Sequence, residues 1–130
     1  MKCLDSDLLV AILRGDKDAK SMMDELDAQG SCATTSVNAF EITYGASMSR
    51  NKASNLEAVK VILQRLEVIP LDLPSSQKAG EVMAGLSSSG EMIDFRDALI
   101  AGIALENGLT LLTRNKKHFA RISKLKVESW

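Results

Sequence analysis

Apolar residues along the chain fall into short continuous runs and longer stretches at helical spacing, and the two kinds alternate. Residues 2–5 read as a strand in which Leu4 leads into Asp5. Leu8, Leu9, Ile12 and Leu13 then repeat at helical spacing until Gly15. Residues 17–29 predict an amphipathic helix with Ala19, Met22, Met23 and Leu26 on one side and Gly30 as its stop. A brief strand over 32–34 precedes a helix that Thr35 or Ser36 can cap and that runs to about Met48. The segment 52–66 repeats Leu56, Val59, Leu63 and Leu66 as a further helix, and "EVIPLD" (67–72) reads as a strand ending at Pro70. Helices over 75–87 and 93–108, a buried strand over 109–113, a helical turn near 117–121 and a last strand over 125–129 complete the pattern. Short strands alternating with helices predict an α/β fold whose parallel sheet is covered on both faces. With no repeat and no linker, 1–130 reads as a single domain.

Composition narrows the class. The 130 residues are 45% hydrophobic and 25% charged with two prolines, the profile of an ordinary globular chain rather than a disordered one. No apolar run approaches the roughly 20 residues that cross a bilayer, and Asp5 and Asp7 interrupt any secretory signal, so a cytoplasmic location without membrane attachment is expected. Cys3 and Cys32 match no metal-ligand spacing and read as buried free thiols. The formal net charge of −1 gives no general nucleic-acid signal. Arg114, Lys116, Lys117, Arg121, Lys124 and Lys126 nevertheless concentrate positive charge in one stretch. With aromatic residues only 4% of the chain, a near absence of exposed aromatics is expected, which argues against extensive base stacking.

Several carboxylates stand where the pattern calls for apolar residues. Asp5 lies at the carboxyl end of the first strand, the edge where open α/β sheets collect ligands. Asp7 near the start of the next helix suits a capping role. Glu41 falls with Val37, Tyr44 and Met48 on what reads as a core-facing stripe; buried alone it would cost several kcal/mol, so it requires an arginine partner, hydrogen-bond donors or a polar cleft. Asp94 reads as the cap of the most apolar helix, while Asp97 shares a face with Ile100, Ala101 and Ala104 and reads as both cap and ligand. Thr113 and Asn115 follow a buried strand at the same sheet edge as Asp5, although Asn115 also suits a turn. His118 is the only histidine and reads as a surface or packing residue. Asp5, Glu41 and Asp97, with oxygens from Ser6, Thr113 and Asn115, are thus candidates to converge on one cleft. Clustered like charges call for a cation, and all-oxygen ligation selects Mg²⁺ or Mn²⁺ over zinc or copper.

Four segments carry a resemblance: "LDSDLL" (4–9), "NAFEITYGA" (38–46), "DALIAGIALENGLTLLTRNKKHF" (97–119) and "LKVESW" (125–130). In this order and separation they resemble the PIN-domain ribonucleases, and more closely the VapC toxins of VapBC toxin–antitoxin systems. The resemblance implies a three-layer α/β/α domain with a central parallel sheet, and Mg²⁺- or Mn²⁺-dependent RNA cleavage. Asp5, Glu41 and Asp97 match the family's acidic positions, and Ser6 and Asp7 fall on its Ser/Thr and Asn/Asp positions. Asn115 occupies the fourth acidic position, a departure that removes a charge and implies weak binding of any second metal. On this reading Arg114, Lys116, Lys117 and Arg121 are RNA-binding candidates. A VapB-like antitoxin, a homodimer, and docking surfaces on the helices at 8–13 and 52–66 are implied as well. A stand-alone PIN nuclease of RNA processing and a catalytically weakened binding module are the alternative readings.

Overall fold

Five three-residue strands form the centre of the molecule: β1 (Lys2–Leu4), β2 (Ala33–Thr35), β3 (Glu67–Ile69), β4 (Thr110–Leu112) and β5 (Lys126–Glu128). All pair in parallel in the order β3-β2-β1-β4-β5, with Cys3 opposite Ala33 on one side and Leu111 on the other. Parallel pairing demands crossovers, and the helices supply them. They are α1 (Ser6–Leu13), α2 (Lys17–Gln29), α3 (Ser36–Ser47), α4 (Lys52–Gln64), α5 (Leu73–Ser88), α6 (Phe95–Glu106) and α7 (Lys116–Phe119). The computed structural model describes all 130 residues.

Side chains alternate across each strand, and this divides the core in two. Leu4 and Leu112 point into a cluster with Leu8, Leu9, Met23, Ile42, Val59 and Ile62. Their neighbours Cys3 and Leu111 point the other way, to Ile100, Ile103, Phe119 and Ile122. The result is the expected three-layer α/β/α arrangement. Cys3 and Cys32 are buried free thiols, as their apolar surroundings in the sequence indicated.

Two expectations need correction. On α3 the core-facing residues are Val37, Asn38, Ile42 and Ala46, while Tyr44 and Met48 are 60% and 72% exposed. Glu41 therefore sits on the flank of the helix rather than on a buried stripe; the apolar positions at i+7 and i+11 face outward. The expected near absence of exposed aromatics also fails, because Phe40, Tyr44 and Phe95 are all exposed.

Candidate active site

The order of the sheet reverses its direction of growth at β1 and β4, and the crevice beyond their carboxyl ends is where ligands bind in open α/β sheets. Asp5 follows β1 and Thr113 follows β4 at that point. Asp5 is the N-cap of α1: its Oδ1 accepts the Ser6 N–H at 2.8 Å and an Asn38 Nδ2–H at 3.0 Å. The Thr113 hydroxyl lies 2.7 Å from Asp5 Oδ2 and accepts the Asn115 N–H at 3.0 Å. Despite these donors, burial first and the negative charges of Asp7 and Asp97 next push the Asp5 carboxyl up to about 6.

A second chain of hydrogen bonds fixes Glu41. The other Asn38 Nδ2–H donates to Ser6 Oγ at 2.8 Å, and Ser6 Oγ–H donates to Glu41 Oε1 at 2.8 Å. Asn38 itself is fully buried and oriented by Thr35, whose N–H and hydroxyl both donate to Asn38 Oδ1, at 3.3 and 2.7 Å. This is the capping box that begins α3, so the element that starts the helix also aims two site residues. Glu41 Oε2 lies 4.0 Å from Arg96 Nη1, a loose ion pair rather than a buried one.

Asp97 stands on the first turn of α6, half-buried, and no hydrogen-bond donor reaches its carboxylate. Burial, then the charges of Asp94 and Glu41, raise its carboxyl above the ordinary range. Asp94 is the N-cap, accepting the Arg96 N–H at 2.8 Å, and its hydrogen bonds to Arg96 hold its carboxyl low. Asp97 also lines a cleft of about 530 Å³ with Asp94, Asn115, Lys117, His118 and Arg121.

Asp5, Ser6, Glu41 and Thr113 thus belong to one hydrogen-bonded network, and Asp97 faces it through charge alone. The oxygen-only, mutually repelling donor set fits a hard divalent cation in its chemistry. No three histidine, cysteine or carboxylate side chains form a ready-made cage, however. Mg²⁺ suits such a site because it keeps several waters and takes few protein ligands.

Asp7 does not cap α1; its carboxylate reaches instead to the turn after β4 and to Trp130. Asn115 Nδ2 is 3.0 Å from His118 Nδ1, so the asparagine engages the histidine rather than the carboxylates. Of the four RNA-binding candidates, Lys117 and Arg121 line the cleft, Lys116 lies outside its lining, and Arg114 stacks on Trp130. Asn38, Arg96 and Trp130 are the neighbours that sequence reasoning missed, while His118, read as a surface or packing residue, lines the cleft. Only Asn38 left a signal, as an amide three residues after a capping threonine.

Residues 2–125 match the family model described as PIN domain. The tRNA(fMet)-specific endonuclease VapC of Shigella flexneri is 31% identical over 102 residues, 78% of this chain and 77% of that protein. Ribonuclease VapC2 of Rickettsia felis is 36% identical over 98 residues, 75% of this chain and 73% of that protein. The crystal structure of VapBC2 from Rickettsia felis, bound to a DNA fragment from its promoter, contains a chain that superposes with a TM-score of 0.92 at 29% identity. The match covers 99% of this chain and 98% of that one.

Proposed function

The chain belongs to the PIN domain family, and on that premise we propose that it is a metal-dependent endoribonuclease acting as the toxin of a toxin–antitoxin pair. What supports the reading is the hydrogen-bonded network that ties Asp5 through Asn38 and Ser6 to Glu41 beyond the ends of β1 and β4, with Asp97 near enough for its charge to act on Asp5. Burial and neighbouring charge raise the carboxyls of Asp5 and Asp97. Residues that must be ionised against such opposition are characteristic of working sites.

Asp5, Glu41 and Asp97 would hold Mg²⁺ or Mn²⁺, which when bound lowers the pKa of a water and offsets charge developing on a phosphate. The chain's own residues prepare that step. Asn38 and Thr113 fix the Asp5 carboxylate from both sides, and Ser6 fixes Glu41. Asp97, free of hydrogen bonds, is available to orient a water or accept its proton. Lys117 and Arg121 on the cleft wall attract the phosphodiester backbone. With RNA as substrate, the cytoplasm is where the chain would act.

An antitoxin segment fits the shallow groove lined by Val10, Leu13, Ile42, Ala46 and Val59, which has Glu41 on its wall and so leads to the site. The apolar face of Phe40, Tyr44 and Met48 is assigned to a second copy of the chain. Purified chain freed of antitoxin should cut RNA in the presence of Mg²⁺ or Mn²⁺, and the Shigella relative's name makes initiator tRNA the first substrate to try. Asp5→Asn and Glu41→Gln should both reduce cutting to background. Wild-type rates in either variant would remove that residue from the site.

A further inference from the structure

We propose that Asp7, Arg114 and Trp130 form a clasp that holds the Thr113–Asn115 turn against Asp5. Asp7 divides its carboxylate between two distant segments. Oδ2 accepts the backbone N–H of Arg114 at 2.9 Å and lies 3.1 Å from the Thr113 hydroxyl. Oδ1 accepts the indole Nε1–H of Trp130 at 3.1 Å. The Arg114 guanidinium in turn sits 3.6 Å from the centroid of the Trp130 ring, a close cation–π contact. Trp130 packs against the core cluster that contains Leu4, Leu8 and Leu112, so the clasp is anchored in the interior.

The Thr113 hydroxyl is what makes the clasp matter. It has one proton for two carboxylates, and the nearer, Asp5, is its natural acceptor. Once the Arg114 N–H and the Trp130 indole N–H supply Asp7, that carboxylate does not depend on the threonine proton. Thr113 is then committed to Asp5. The same stacking engages the Arg114 guanidinium, and the clasp assigns this arginine to the turn rather than to substrate. All three are positioning residues, and their effect on cleavage rests on the ribonuclease reading.

Amide hydrogen exchange and cleavage kinetics, measured on wild type, Trp130→Phe, Trp130→Ala and Arg114→Met, test the clasp. Trp130→Phe keeps a ring on the core and guards against a variant that fails to fold. Exchange at the Arg114 and Asn115 amides should accelerate at least about 10-fold in both Trp130 variants while β1 and β4 keep their protection. The kcat for RNA should fall about 10-fold with KM within about twofold, the size of effect expected from residues that orient a site. Arg114→Met should show the same pattern more weakly. Unchanged exchange in both Trp130 variants overturns the clasp, and so does faster exchange with unchanged kcat. A raised KM at constant kcat in Arg114→Met would make Arg114 an RNA contact and overturn it as well. Wild-type protein inactive on RNA would contradict the ribonuclease reading, leaving the exchange data to decide the clasp.

Discussion

Asp5 is held by donors on both oxygens and still resists ionisation, because burial and two neighbouring carboxylates outweigh Thr113 and the Ser6 N–H. Raised to about 6 from an ordinary 3.8, the group binds its proton more tightly in the folded chain than in the unfolded one. Its contribution to stability is therefore complete below pH 3.8 and is lost as pH rises through about 6. The two-unit shift corresponds to a cost on the order of 3 kcal/mol at pH 8. Asp97 shifts in the same direction and adds to the effect. Asp5→Asn suits the same partners: its oxygen accepts from Ser6 and Asn38, and its amide donates to Thr113, whose proton turns to Asp7. In chelator, that variant should melt higher than wild type at pH 8, with the gain fading towards pH 4 in a thermal denaturation series. A gain that is the same at both pH values would contradict the assigned cost. Asn38→Ala should lose about 2–3 kcal/mol in urea unfolding, since it strips partners from Asp5, Ser6 and Thr35 together.

At the scale of elements, α5 and α6 come into close contact at Gly102. A Cβ there would stand 2.5 Å from the Ser75 carbonyl oxygen and 2.8 Å from Ala79 Cβ. Gly102→Ala should thus destabilise the chain by about 1–3 kcal/mol in urea unfolding, against a helix propensity that favours alanine. That two effects of opposite sign meet at one glycine shows what a sequence conveys and what it does not. Periodicity and punctuation place every helix and strand, with ends within about two residues, since Gly15, Gly30 and the capping Asp94 and Thr35 are local signals. Local signals do not say which apolar face is covered. Tyr44 and Met48 read as core because an exposed apolar stripe has the same spacing as one that packs on a sheet. Asp5 and Thr113 were legible as polar groups at the carboxyl ends of strands, whereas Glu41 was singled out on a stripe that the structure turns outward. Asp7 against Trp130, 123 residues apart, was not legible, for such a contact depends on strand order alone.

Taken whole, the molecule sets an acidic cleft beside a basic wall in a chain of net charge −1. If RNA is the substrate, the carboxylates would oppose its phosphates, and Lys117 and Arg121, which line the same cleft, would counter that repulsion. Each of Lys117→Ala and Arg121→Ala should weaken RNA binding uniformly across sequences and lower the slope of log affinity against log salt by about 0.7. Tyr44→Glu should shift the chain from dimer to monomer in light scattering if its exposed aromatic face meets a second copy. The role proposed for Asp5, Glu41 and Asp97 is to act through a divalent cation. Its most direct test is the rate of RNA cleavage by the antitoxin-free chain as Mg²⁺ or Mn²⁺ is added from zero. No cutting is expected in chelator, a saturable rise with metal, and a flat background for Asp97→Asn; cleavage that persists undiminished in chelator would contradict that role.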